Sequence, residues 1–390
     1  MDSKRTLAAA AIITLLLPGL LGASVAGTTS DAASTLPYVK YTVLLGNGTV
    51  FNGNYVPKSN LVASQGEAGI AYDNSTGDLY VTNLLQNISV ISSSKLSLKK
   101  TLHVGGEPFD VIYDSMNGNI YASNLNQKLS IIDGKTLRIS GNISTGVFSS
   151  RMAINGNADT IYLLNLLNLT YEKINLSKGK LSGNVSIGLY NGTYRHPVPG
   201  IAYDPQNNTV FASNFENGTV VVLDATTGKI LRNITFPAQV GDLFYESGTD
   251  AVYAAVPLVQ QVYAINAATY GIEGNMTTGA YPSSISASYA GNYLFVTNEL
   301  AGTLSVYNLT TFRALETLNL SSGPTGACYV SEKGYLYVVD SGKGTLSAIY
   351  VNQAASKPHP PNSFYVFYVI VPVVIAAAVF TAIIYRRKSG

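Results

Sequence analysis

The 390-residue chain carries 24 basic and 22 acidic side chains, a formal charge of +2, and only 12% of its residues are charged. A nucleic-acid binder concentrates basic residues on one face or in a run; no such block occurs, so nucleic acid is excluded as a partner. The single cysteine, Cys328, rules out an intramolecular disulfide and falls in an apolar inner-strand position, where a buried, inert thiol is expected.

At the N-terminus, Lys4 and Arg5 precede an apolar run from Leu7 to Leu21 and small residues ending Ala23-Ser24-Val25-Ala26. That order predicts a secretory signal over 1–26, cleaved after Ala26, with an uncleaved anchor as the alternative. A small, polar leader covers 27–36. Two strand-like runs, Tyr41–Leu45 and Thr49–Phe51, flank the hairpin signal Gly46-Asn47-Gly48.

The stretch Asp78-Leu79-Tyr80-Val81-Thr82-Asn83 then introduces a pattern that returns as Tyr121-Ala122-Ser123-Asn124, Tyr162-Leu163-Leu164-Asn165 and Phe211-Ala212-Ser213-Asn214. Variant copies are Tyr253-Ala254-Ala255-Val256, Phe295-Val296-Thr297-Asn298 and Tyr337-Val338-Val339-Asp340. The leading aromatics lie 41, 41, 49, 42, 42 and 42 residues apart, which is the signature of a repeat architecture. Seven residues before each stand Asp73, Asp114, Asn155, Asp204, Glu246, Ser288 and Val330. Most of these close an apolar run and precede a turn, where a carboxylate caps backbone amides. Each repeat reads as four short strands, the content of one propeller blade.

Tyr80-Val81-Thr82-Asn83 and its copies resemble the YVTN family of β-propeller repeats over roughly residues 36–352. The resemblance implies an all-β, seven-bladed propeller of four-stranded blades in a membrane-anchored prokaryotic surface protein of archaeal type. It carries no single activity, because propellers host many functions. The domain is expected to span 37–351. Its last repeat supplies only three clear strands, so the N-terminal segment is predicted to donate the fourth and close the ring.

Repeat three is longer than its neighbours by about eight residues, between Gly188 and Pro199, in a loop containing His196. After Val351 a proline-containing stalk (352–363) leads to 364–385, 22 residues without a charge. At about 1.5 Å per residue this makes about 33 Å of helix, enough to span a bilayer core. Arg386-Arg387-Lys388 follows in the tail, 386–390, and places the C-terminus in the cytoplasm. The expected organisation is a single-pass cell-membrane protein with its propeller outside.

Asn-x-Ser/Thr occurs 14 times, against about six expected from composition. Asn142, Asn184, Asn233, Asn275 and Asn319 each fall near the start of a predicted fourth, outermost strand. Glycans there would hydrate the rim and block edge pairing; the alternative is that asparagine simply suits turns and strand ends. The three histidines, His103, His196 and His359, are scattered, and no His/Cys ligand spacing or nucleophile elbow is present, so neither metal nor cofactor is expected.

The inner strands begin at aligned positions Gly69, Asp110, Arg151, Gly200, Asp242, Ser284 and Gly326, which a propeller places near the mouth of its central channel. Asp110, Arg151 and Asp242, with Glu107, His196 and Tyr281 on adjoining loops, are candidates to grip a small polar ligand. A structural ring of ion pairs is the competing reading. Function is therefore read as a surface binding, adhesion or envelope-associated module for a protein or glycan. The alternatives are an extracellular lyase or glycan-acting hydrolase at the channel mouth, and a solute-binding or cofactor-holding propeller serving a membrane partner.

Overall fold

The structure is a computed structural model that describes residues 38–44, 69–83, 87–146, 148–165, 169–188, 199–320, 323–341 and 345–351. The predicted signal and leader, the second run of the N-terminal hairpin, the loop holding His196, the stalk and the candidate membrane helix lie outside the described residues. Among the described residues no helix is long and apolar enough to cross a membrane.

The strands form seven four-stranded antiparallel sheets, the blades of a β-propeller. Blades 1 to 6 cover residues 70–103, 108–144, 149–186, 201–235, 243–277 and 282–319, each running from inner to outer strand in chain order. Blade 7 departs from this. Pro324–Val330, Tyr335–Asp340 and Thr345–Tyr350 are its first three strands, and Tyr38–Leu44 is the fourth, pairing antiparallel with Tyr38 opposite Tyr350 and Leu44 opposite Thr345. The ring is closed by the predicted N-terminal strand, which covers the edge that Thr345–Tyr350 would otherwise present.

Period-2 alternation explains why the second strands are apolar on both faces. Leu79 and Val81 pack toward blade 7, while Tyr80 between them packs toward blade 2. Among the described residues the apolar clusters lie one at each blade interface. All seven repeat aromatics are buried, none more than 3% exposed. The tyrosine hydroxyls give a reason for tyrosine over phenylalanine at several copies. Tyr80 donates to Gly134 O (3.4 Å), Tyr162 to Ala225 O (3.5 Å) and Tyr337 to Ser93 O (3.3 Å), each time a turn of the following blade.

The motif's asparagine ties the second strand to the third across their corner. Asn124 Nδ2 lies 3.1 Å from Ala122 O, 3.1 Å from Lys128 O and 3.0 Å from Ser130 Oγ. Asn298 Nδ2 donates to Thr303 Oγ1 (3.0 Å) and Ser305 Oγ (2.8 Å). The acidic residue before each first turn behaves as expected. Asp73 Oδ1 accepts from Ser75 N (2.8 Å), Asp114 Oδ1 from Met116 N (2.9 Å) and Asp204 Oδ1 from Gln206 N (2.8 Å).

A second turn, between third and fourth strands, follows its own rule. Asp133, Asp224, Asn266 and Asn308 each accept backbone N–H bonds from the two turn residues that follow at positions +2 and +3. The next residue takes a left-handed conformation: Leu96 (φ 49°), Leu137 (53°), Gly179 (59°), Gly228 (72°), Tyr270 (62°) and Phe312 (58°). Where it is large it plugs the gap to the preceding blade. Leu96 packs on the blade 7 interface, Leu137 on that with blade 1, Tyr270 on blade 4 and Phe312 on blade 5. Tyr270 meets Phe211 edge-on, with ring centroids 6.1 Å apart.

Two expectations need correction. Cys328 is only partly buried, not enclosed, although burial still pushes its thiol up to about 12. The five outer-strand asparagines sit in the second half of their strands, not near the start: Asn142 in Arg138–Ser144, Asn184 in Lys180–Ser186, Asn233 in Ile230–Thr235, Asn275 in Ile272–Thr277 and Asn319 last in Ala314–Asn319. The outer strands begin earlier than the apolar pattern suggests, within two residues of the left-handed turn residue.

Deleting residues 38–44 is expected to lower the thermal midpoint by at least about 5 °C and to promote association through the bared edge, measured by calorimetry and light scattering. Asn124→Ala removes a buried corner donor and should cost about 1–3 kcal/mol in denaturant unfolding. Tyr80→Phe removes only one long bond and should cost under about 1 kcal/mol in the same assay.

Candidate functional site

The first strands converge on the propeller axis, and two residue types satisfy the crowding there. One is glycine. A Cβ on Gly69 would lie 2.8 Å from Val111 N of the next blade, and one on Gly200 would lie 2.3 Å from Leu243 N. The other is a short acceptor that takes an N–H from the next inner strand. Asp110 Oδ2 accepts from Met152 N (2.9 Å), Asp242 Oδ2 from Ile285 N (3.1 Å) and Ser284 Oγ from Ala327 N (3.2 Å).

Arg151 stands among these acceptors. Its Nη1 is 3.5 Å from Asp110 Oδ1, with side-chain exposures of 11% and 9%. Desolvation raises Asp110 above the ordinary carboxylate range, opposed by Arg151 and by the N–H groups of Met152 and Val111. Desolvation pushes Asp242 up to about 6; Arg151 opposes that shift and the charge of Asp110 adds to it. Asp242 retains partial exposure, so solvent reaches it although protein surrounds it. Three of the six predicted ligand residues thus form one electrostatic cluster.

Glu107 and Tyr281 occupy equivalent corners of blades 2 and 6. Glu107 O accepts from Leu125 N (3.0 Å) and Tyr281 O from Glu299 N (2.8 Å). They lie at the end of the inner strands where residues 108 and 282 begin, the same end to which the loop of His196 returns. Tyr281 adopts φ 61°, a left-handed backbone that the equivalent Gly323 (φ 98°) takes without a side chain. His196 itself lies outside the described residues.

Sequence reasoning missed Glu299. It follows the motif asparagine of blade 6 where other copies have Leu125 or Phe215. Burial pushes it up to about 7, and its Oε2 is buried without a hydrogen-bond partner among the described residues. A charged residue at a mostly apolar repeat position was the available signal. At the opposite end of the inner strands, a cavity of about 440 Å³ is bordered by Tyr113, Tyr203, Tyr245 and Met116. Tyr203 Oη there accepts from Asn155 Nδ2 of the preceding blade (2.7 Å).

All five outer-strand asparagines are exposed. Asn142 Oδ1 accepts from Ser130 Oγ (2.9 Å).

No family model matches the chain. Over 153 residues it is 26% identical to the curated "Uncharacterized protein YncE" of Salmonella typhimurium, and as similar to the protein of the same name from Salmonella typhi. The match covers 39% of this chain and 42% of each relative, so the chain spans less than half the length of the curated relatives it matches.

Proposed function

We propose that this chain is a YVTN-type propeller held outside a prokaryotic, archaeal cell by its C-terminal segment, serving as a binding, adhesion or envelope-associated module for a protein or glycan. The observation that carries this reading is the engagement of the axial acceptors. Asp110 binds Arg151 and the Met152 N–H, and Asp242 binds the Ile285 N–H, so both carboxylates hold blades together. In this reading residues 1–26 direct export, 364–385 span the membrane, and Arg386, Arg387 and Lys388 stay inside. Asn142, Asn184, Asn233, Asn275 and Asn319 are exposed acceptors that would carry glycans on the rim.

A second reading has its own support. Asp242, raised to about 6 beside Arg151 and reachable by solvent, has the character of a proton-transfer group. In that case the axial cluster with Glu107, Tyr281 and His196 is the mouth of a lyase or glycan-acting hydrolase.

Proteolysis of intact cells should release a propeller fragment bearing glycans at the five asparagines; protection from protease would overturn the surface placement, and bare asparagines at all five positions would overturn the rim glycans. The two readings of the axis part on pH. A carboxyl raised from 3.8 to about 6 holds its proton in the folded state after the unfolded chain has released it. Its contribution to stability therefore falls as pH rises through that window, by an amount on the order of 1–3 kcal/mol. Asp242→Asn should flatten the slope of unfolding free energy between about pH 4 and 6 and leave ligand binding within about twofold. If turnover of a glycan substrate is found and Asp242→Asn abolishes it, the enzymatic reading replaces the binding one.

A further inference from the structure

Six blades carry the left-handed turn between third and fourth strands, and among these only blade 4 leaves the gap to its predecessor without a large plug. In blade 3 the plug position is Gly179, but Leu176, three residues earlier, packs against blade 2 instead. In blade 4 both positions are small, Ala225 and Gly228. The result is a groove of about 400 Å³ between blades 3 and 4, on the side of the turns and away from the motif corners. That volume falls in the range of small-molecule sites.

We propose that this groove binds a pyranose unit of a saccharide. Its walls include Tyr171, Lys173, Asn184, Asn208 and Thr226, with Tyr162 stacked on Tyr171 (centroids 5.7 Å apart, 19° between planes). Tyr171 is 1% exposed, and its buried Oη has no hydrogen-bond partner among the described residues. A buried hydroxyl in that state costs free energy that a ligand hydroxyl would recover. Lys173 Nζ donates to Ala225 O and Thr226 O, both at 3.1 Å, which leaves one N–H for a ligand oxygen.

Charge and polarity select the ligand class. The described lining contains one cation and no carboxylate, so a multiply charged anion or a metal ion is poorly matched. An apolar ligand would bury amides and hydroxyls without partners. A polyhydroxylated ring offers donors and acceptors to the amides, the threonine, the ammonium and the Tyr171 hydroxyl, and a C–H face to Val185. The site deepens the binding-module reading and rests on it for physiological meaning, but its chemistry stands on the groove's own lining.

The test exploits the missing plug. In Gly228→Tyr the new side chain has the φ of a position where blade 5 already tolerates Tyr270, and its Cβ would meet Val185 Cγ2 at 3.0 Å. Full-length protein from a host without N-glycosylation is probed by saturation-transfer NMR with the methyl glycosides of glucose, galactose, mannose and N-acetylglucosamine. At least one should bind the wild type. Binding should weaken at least tenfold in Gly228→Tyr while the thermal midpoint holds, and should persist in Tyr270→Gly, which opens a different interface. If Gly228→Tyr does not fold, Lys173→Met is expected to weaken binding instead. No binding of any glycoside overturns the groove. Binding untouched by Gly228→Tyr, or by Lys173→Met where that serves as the test, also overturns it, while leaving the broader binding reading intact. Binding by the glycan-bearing native protein that appears only after Asn184→Gln would identify the chain's own glycan as the occupant.

Discussion

The narrowness of the axis governs much else in this molecule. Seven inner strands approach so closely that the aligned position is glycine or a group that can accept its neighbour's N–H in every blade but the third, where it is Arg151. Gly69 and Gly200 take the first course; Asp110, Asp242 and Ser284 take the second. Choosing carboxylates introduces buried charge, which is costly unless neutralised. Arg151 supplies the neutralisation for Asp110 and moderates the shift of Asp242. The charges at the axis therefore have a packing explanation before any ligand is invoked.

Away from the axis the same logic of blade gripping blade is carried by hydroxyls and turn residues. Tyr80, Tyr162 and Tyr337 reach forward to the next blade's turn, whereas Leu96, Leu137, Tyr270 and Phe312 reach back. The interfaces of blade 1 with blades 7 and 2 are thus gripped from both sides, and others from one. A repeat protein built this way shows its exceptions clearly. Ala225 and Gly228 leave blade 3 uncovered, and the polar groups of Lys173, Asn184 and Asn208 are found there.

How much of this could be read from the chain varies with the physics involved. Blade number followed from the recurrence of Tyr80 and its copies, because a buried aromatic on every second strand is a packing requirement repeated at fixed period. The donated strand followed from a count of strands in the last repeat. Asp73, Asp114 and Asp204 were legible as turn caps because short-range hydrogen bonding depends on adjacent residues alone. Asp110 and Arg151 could be placed in one ring from their aligned positions, but which pair makes the 3.5 Å contact was not legible, since residues 41 apart meet only through the angle between blades. Nor was the left-handed backbone of Leu96, Leu137, Tyr270 and Phe312, which a large side chain disfavours and only tertiary packing sustains. The outer strands start within two residues of these turns and so run well ahead of the five asparagines.

The closing strand has a consequence for how the molecule comes into being. Tyr38 leaves the ribosome long before Tyr350, its partner across the sheet, and more than 300 residues separate them. Contacts between such distant points form late and slowly. Until the last blade emerges, the opening segment waits without its sheet and the final edge has no cover, so the circle cannot close before Thr345–Tyr350 is available. A chain shortened at either extremity would reach full secondary structure in six sheets and still lack a sealed perimeter.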